Sequence, residues 1–434
     1  MELSALYQIF LECGSVTTDS RNCPPGALFI ALKGESFDGN AYAAKALEHG
    51  CAYAVVDEAE HAVPGDGRYL LVDDGLRTLQ RLATHHRRQV DPLVIAITGT
   101  NGKTTTKELV ATVLTKRYPI LYTQGNLNNH IGVPLTLLRL RQGDEFAVVE
   151  MGASHPGDIK LLCEIAEPNY GLITNVGKAH LEGFGSLDGV ARAKGELYDY
   201  LRQDPEASIF IDMDNPRLRS MAGDLDTIGY GTHEGAKVRG HVVENSPFLA
   251  IQWAERHEDT LHQVRTRLVG GYNFANVLAA VTIGSYFAVA PEDIDDAIEA
   301  YVPGNSRSQL KRTADNTLIV DAYNANPTSM TAALRNFQSM DAPHKMVILG
   351  DMLELGRESA AEHQRVVDLL ENSDFERVTL VGHEFAATRH SPNFVTYPDT
   401  ASLIEALRAD KPRGATLLLK GSHGIGLDAA VAAL

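Results

Sequence analysis

The sequence predicts an α/β protein of three domains: a central doubly wound, mostly parallel sheet with a variant P-loop, a small N-terminal α/β domain and a C-terminal Rossmann-like α/β domain. Three observations carry this. The chain has 434 residues, more than one hydrophobic core comfortably serves, and length alone suggests about three domains. Short apolar runs alternate with helical patterns along most of it. One of those runs, Val94-Ile95-Ala96-Ile97-Thr98, breaks directly into Gly99-Thr100-Asn101-Gly102-Lys103-Thr104-Thr105-Thr106 and then into a helical pattern.

That stretch reads as a cradle for nucleotide phosphates. Its glycines let the backbone turn N–H groups toward an anion, and a helix starting near Lys103 adds the positive end of its dipole. Lys103 neutralises the outer phosphates and Thr104 offers a hydroxyl to Mg²⁺. Only two residues separate Gly99 from Gly102, so the loop departs from the usual P-loop spacing of four.

Composition narrows the partners. A hydrophobic share of 44% beside 22% charged residues is that of a soluble globular protein, and the formal charge of −17 argues against general affinity for nucleic acid or anionic membrane. Four cysteines without CxxC spacing indicate neither a disulfide framework nor a zinc site, and are expected to be reduced thiols. Neither a secretory leader nor an apolar run of about 18 residues is present, so a cytoplasmic protein with no membrane insertion is expected.

Residues 1–90 read as the N-terminal domain, with strands near 27–32, 52–57 and 68–72 and helices near 41–49 and 76–88. Thr18-Asp19-Ser20-Arg21 precedes the first clear strand and reads, on its residues alone, as an Asx-type turn. His85-His86-Arg87-Arg88 reads as a helix end complementing its dipole.

Residues 91–304 read as the central domain. In such sheets the polar residues just after strands face the ligand crevice. Phe146-Ala147-Val148-Val149 ends in Glu150-Met151-Gly152, and Gly171-Leu172-Ile173-Thr174 runs into Asn175-Val176-Gly177-Lys178-Ala179-His180. Glu150 is either a helix cap or a metal ligand, and His180 either structural or a ligand. Lys194, in the helix starting near Val190, has no such role while protonated. Asn273 and Asn276 share one face at a helix start, where capping and contact with a nucleobase edge are both open.

Residues 305–434 read as the C-terminal domain, with strands near 318–321, 345–349, 378–381 and 416–419. Asp321-Ala322-Tyr323-Asn324-Ala325-Asn326-Pro327 and Lys420-Gly421-Ser422-His423-Gly424 both follow strands and are expected to face a shared cleft.

Taken in order and spacing, the phosphate loop, Glu150-Met151-Gly152, Asn175 through His180, Lys194, Asn273 with Asn276, Arg307 and Asp321 resemble the Mur ligase family of ATP-dependent amide ligases, over essentially the whole chain. Within the family the chain looks like the branch that joins D-alanyl-D-alanine to UDP-N-acetylmuramoyl-tripeptide in peptidoglycan synthesis. That narrower likeness rests on 125–136, on 321–330 and on Leu349-Gly350-Asp351-Met352-Leu353-Glu354-Leu355-Gly356.

The resemblance implies roles. Lys103, Glu150, His180 and Lys194 are the expected catalytic group. ATP contacts fall on Gly99, Thr100, Asn101, Gly102, Lys103, Thr104, Thr105, Asn273, Asn276, Arg307, Asp321 and Asn324. Substrate contacts fall on Ser20, Arg21, Asn128, Asn129, Asn326, Lys420 and Ser422. Two Mg²⁺ ions are implied, held by Thr104 and Glu150 and by His180 with Lys194 as a carbamate. The implied reaction activates the tripeptide carboxylate as an acyl phosphate in a monomeric enzyme. Where relatives carry Pro-Gly-Arg, Arg307 stands a few residues late, and His423 stands where many have arginine. The alternatives are a folylpolyglutamate synthase-like ligase, weighed against by 125–136 and the separate N-terminal domain, and an ATP-dependent switch, weighed against by Glu150, His180 and Lys194. The third residue of the tripeptide, lysine or diaminopimelate, is not written in any motif.

Overall fold

A computed structural model describes all residues except 35, 259, 305 and 306. The expected boundary between 304 and 305 therefore abuts residues outside those described. Three sheets organise the chain. The first is parallel, in the order β1 (Val16–Thr17), β2 (Leu28–Ile30), β3 (Tyr53–Val56), β4 (Tyr69–Leu71).

The second has nine strands: β5 (Leu93–Thr98), β6 (Ile120–Tyr122), β7 (Phe146–Glu150), β8 (Tyr170–Ile173), β9 (Ser208–Asp212), β10 (Asp226–Gly231), β11 (Val238–Glu244), β12 (Ala250–Glu255) and β13 (His262–Arg265). Their spatial order is β13-β12-β11-β10-β9-β8-β5-β7-β6. After β5 the chain moves out to β6 and β7 on one side, then returns to β8 on the other. The strand order thus reverses around β5, which opens a crevice at its carboxyl end. Strands β11, β12 and β13 form an antiparallel extension. The sequence reading did not separate these three, because β11 alternates only weakly, with Val238 and Gly240 buried and its last four residues exposed.

The third sheet orders β14 (Gln309–Arg312), β15 (Thr317–Asp321), β16 (Lys345–Gly350), β17 (Arg377–Val381), β18 (Val395–Tyr397) and β19 (Thr416–Lys420) as β14-β15-β19-β16-β17-β18. It is parallel except for the first pair. Asp321 ends β15 and Lys420 ends β19, directly opposite in the ladder, so both loops singled out in the sequence leave the sheet side by side.

Apolar packing ties the first two units together. The helix Gly75–Val90 buries Leu79, Leu82 and Ala83 in one cluster with Val94, Leu137 and Ile159 of the central unit. The basic tail of that helix turns inward more than a dipole argument requires. Arg87 is buried and donates to the carbonyls of Ala166 and Glu167 at 3.2 and 3.0 Å. His86 Nε2 meets Leu140 O at 2.9 Å and its Nδ1 meets the Tyr7 hydroxyl at 3.1 Å. Tyr7 belongs to a helix, Leu3–Cys13, that the sequence reading passed over. The four cysteines are free thiols. Among the described residues no helix is long and apolar enough to cross a membrane.

Candidate active site

The phosphate loop follows β5 and precedes the helix Lys103–Leu114, whose N-terminus is capped by Gly102 at φ +81°. Both glycines are required by their surroundings. A Cβ on Gly99, at φ +141°, would stand 2.0 Å from Thr174 Oγ1, and one on Gly102 would stand 2.5 Å from Asn276 Oδ1. Each is also held in a backbone conformation that L side chains resist. Lys103 curls back over the loop, its Nζ donating to Gly99 O at 2.8 Å and Thr100 O at 3.2 Å. Desolvation lowers the pKa of this ammonium, and the charge of Glu150 works the other way.

Glu150 ends β7 beside the loop and is 1% exposed. Its Oε1 accepts from Thr104 Oγ1 at 3.2 Å and from Asn128 Nδ2 at 2.8 Å, while its Oε2 is buried without a hydrogen-bond partner. A buried, half-satisfied carboxylate next to a threonine hydroxyl at a phosphate loop is the donor set that Mg²⁺ takes alongside phosphate oxygens. Thr104 and Glu150 therefore fit such an ion.

The segment after β8 is stitched to the loop. Asn175 accepts from Thr100 N through its carbonyl at 2.9 Å and from Asn101 N through its side chain at 3.0 Å, and Gly177 N donates to Thr100 Oγ1 at 2.9 Å. The same segment ends at His180, in the left-handed region at φ +48°, with Nδ1 against Glu354 Oε2 of the third unit. That contact holds the Glu354 carboxyl below its ordinary pKa.

Lys194 lies beneath this floor at 2% exposure, its Nζ 3.5 Å from Ala153 O and 5.5 Å from the centre of the Phe184 ring. Burial, reinforced by the charge of Lys103, lowers its pKa to about 7. A large share of its amine is consequently neutral and nucleophilic near neutral pH.

Apart from Lys194, which is buried outside the lining, these groups border a cavity of about 800 Å³ between the central and C-terminal units. Thr100 through Thr105, Asn128, Asn129, Glu150, His180, Asn273 and Asn276 line it from the central side, and Arg307, Asp321, Asn324, Lys420 and Ser422 from the C-terminal side. Several are already engaged within the protein. Asn276 Nδ2 donates to Asn273 Oδ1 at 3.0 Å, and Asn129 Oδ1 accepts from Ile131 N and Gly132 N at 3.1 and 2.8 Å. Lys420 Nζ is 2.6 Å from Asp321 Oδ2, and Ser422 Oγ accepts from Leu353 N at 2.9 Å. Asn326 stands behind the lining, capping the helix Pro327–Ser339 and donating to Asn101 Oδ1 at 2.7 Å.

Ser20 and Arg21 lie apart from this cavity, in the turn before β2. There Arg21 pairs with Asp19 at 2.9 Å and the Ser20 carbonyl meets His49 Nδ1 at 2.8 Å. Two features had no role in the sequence reading. Arg307 stacks on Tyr323 at 3.8 Å, and Tyr323 stacks on His423 with ring centres 5.3 Å apart. Asp351 accepts from Glu384 N and Phe385 N, both at 2.9 Å, which braces the turn carrying Glu354. The quoted motifs contain Tyr323, Asp351 and Glu354, but nothing in their spacing tells which neighbour each meets.

Three family models match successive stretches of the chain. Residues 97–284 match the family model of the Mur ligase middle domain, 306–423 that of the Mur ligase glutamate ligase domain, and 12–87 that of the Mur ligase family catalytic domain. The UDP-N-acetylmuramoyl-tripeptide--D-alanyl-D-alanine ligase of Bacillus subtilis is 35% identical, with 95% of this chain and 91% of that protein aligned. Its Escherichia coli counterpart is also 35% identical, over 97% of this chain and 93% of that protein. Among solved structures, MurF from Acinetobacter baumannii superposes with a TM-score of 0.86 at 30% identity, covering 99% of this chain and 97% of that one. MurF from Thermotoga maritima in complex with ADP gives 0.84 at 25% identity, covering 98% and 97%.

Proposed function

The chain belongs to the Mur ligase family, and from that premise we propose that it joins D-alanyl-D-alanine to UDP-N-acetylmuramoyl-tripeptide at the expense of ATP. The observation that carries this reading is the junction of a phosphate loop and a half-satisfied buried glutamate with residues of the C-terminal unit around one cavity between two domains.

A carboxylate is a poor electrophile, so the reaction needs ATP to supply a leaving group. The terminal carboxylate oxygen of the tripeptide attacks the γ-phosphorus, the bond to the β,γ-bridging oxygen breaks, and ADP departs. The free amine of D-alanyl-D-alanine then attacks the acyl carbon, loses a proton and expels inorganic phosphate. Lys103 and the N–H groups of the loop stabilise charge on the transferring oxygens. Arg307, Asp321 and Asn324 approach the nucleotide from the C-terminal domain, and Asn273 and Asn276 from the central one.

Two Mg²⁺ ions would spread the charge of the phosphates, one held by Thr104 and Glu150, the other by His180 and Lys194 as a carbamate. The amine of Lys194 suits that modification: its neutral form attacks the carbon of CO₂, releases a proton and leaves an anionic carbamate. Burial that disfavours the ammonium raises the share of amine able to react. In this reading residues 1–90 hold the uridine end through Ser20 and Arg21, 91–304 hold ATP, and 305–434 close over both. Asn128, Asn129, Lys420 and Ser422 border the peptide, and Asn326 backs them through its bond to Asn101. One chain supplies both walls of the cavity, which suits a monomer, and we place the reaction in the cytoplasm.

Phosphate release from ATP and Mg²⁺ in the presence of the UDP-tripeptide, with and without D-alanyl-D-alanine, tests the reading. Dipeptide-dependent release with a product of pentapeptide mass is expected. Folded protein that binds ATP yet releases nothing with either the lysine or the diaminopimelate tripeptide would overturn it.

A further inference from the structure

Lys178 sits in the middle of the segment that braces the phosphate loop at Asn175 and Gly177 and ends at His180. Its Nζ reaches out of the central domain to Glu362 Oε1 at 2.6 Å, on the helix Ser359–Glu371 of the C-terminal domain. The Glu362 side chain is 4% exposed, that of Lys178 39%. Arg365, one turn along, also meets the Glu362 carboxylate. The backbone beside Lys178 makes a second tie, since Lys178 N donates to Thr328 Oγ1 at 3.2 Å. A Cβ on Gly177 would stand 2.8 Å from that same hydroxyl, so the two domains meet here without slack.

We infer that the Lys178–Glu362 ion pair is a positioning latch, through which seating of the C-terminal domain fixes the 175–180 segment and with it both the phosphate loop and His180. The inference rests on the ligase reading for what is positioned, but the contact itself is independent of it. The energetics suit a reversible device. Parting the domains returns Glu362 to water, so the cost of burying it is recovered, and the pair holds only the difference between attraction and desolvation. Lys178, more than a third exposed, gives a latch that opens readily. Neither residue reaches the reacting atoms; each acts through the segment it holds.

The test uses the full-length protein with Lys178→Met, Glu362→Gln, the double variant and Lys178→Arg, each first shown to unfold at the wild-type temperature within a few degrees. Lys178 is the safer site should Glu362→Gln disturb packing. Small-angle X-ray scattering with a non-hydrolysable ATP analogue and Mg²⁺ reads domain seating without turnover. Phosphate release reads kcat and the KM for ATP. Each single variant is expected to lower kcat about tenfold with KM for ATP within about twofold, because the segment is displaced while the loop's own contacts remain. Both should widen the scattering envelope. The double variant should be no worse than the poorer single, and Lys178→Arg should approach wild type. Additive losses, or wild-type kcat and wild-type scattering in Lys178→Met, would overturn the latch. Were wild type itself inactive on the named substrates, the ligase reading would fall while scattering still judged the latch.

Discussion

The side chain of Asn128 donates to Glu150 Oε1 at 2.8 Å, and the carbonyl of the same residue accepts from Gly152 N at 2.7 Å. The asparagine-rich stretch thereby clamps the end of β7 from both sides and points the free Glu150 oxygen away from itself. A group that orients a metal ligand is commonly worth about 10–100-fold in metal affinity or activity. Asn128→Leu, which removes the orienting donor without adding charge, should raise the Mg²⁺ concentration needed for half-maximal phosphate release by at least about tenfold. An unchanged Mg²⁺ titration would show that Asn128 does not orient Glu150.

Gly102→Ala meets two obstacles, a left-handed backbone and Asn276 Oδ1 at 2.5 Å. The first costs about 1–2 kcal/mol whatever surrounds it. Nucleotide binding, measured by calorimetry with an ATP analogue, should be lost in the single variant and only partly regained when Asn276→Ala removes the collision. Full recovery in the double variant would mean that crowding alone makes this glycine necessary.

Lys420 and Asp321 bind one another at 2.6 Å across adjacent strands, with side chains 1% and 16% exposed. Removing one member strands the other's charge, typically a loss of about 3–5 kcal/mol. Lys420→Met should lower C-terminal domain stability by an amount near the bottom of that range, given the residual exposure of Asp321. Adding Asp321→Asn should restore much of it. Equal urea midpoints for wild type and Lys420→Met would refute the pair's structural role.

His86 is held neutral between Tyr7 and Leu140, and burial lowers its pKa below the ordinary 6.5. As pH falls through 6.5 the unfolded chain takes up a proton that the folded state resists. The contribution of this site is therefore complete above 6.5 and declines below it. Thermal unfolding at pH 7.5 and 5.5 should show a smaller acid-side drop for His86→Gln than for wild type. An identical drop would remove His86 from the account.

The α/β class, the three sheets and the loop after β5 were legible because each depends on local pattern. β-Branched runs, turn glycines and helical periodicity act over a few residues. The antiparallel extension β11–β13 was not, since partial exposure blurred the alternation of β11, whereas the helix Leu3–Cys13 was passed over although its buried Leu6, Tyr7 and Phe10 recur at helical spacing. At the site, residue types indicated a phosphate cradle, and the order of motifs indicated the family. Glu362 carried no signal at all: a glutamate in a polar helix looks the same whether it faces water or a lysine 184 positions away.

By itself the sequence determined which chemistry the chain can perform, because lysine, threonine, glutamate and histidine bring their acidity and donor atoms wherever they stand. Tertiary structure decided the state of those groups. Only the fold buries Lys194 until its pKa falls to about 7, leaves one oxygen of Glu150 unsatisfied, and occupies Lys420 with Asp321. Desolvation and pairing depend on neighbours drawn from distant parts of the chain. No local pattern encodes them, since they exist only once the sheets have packed.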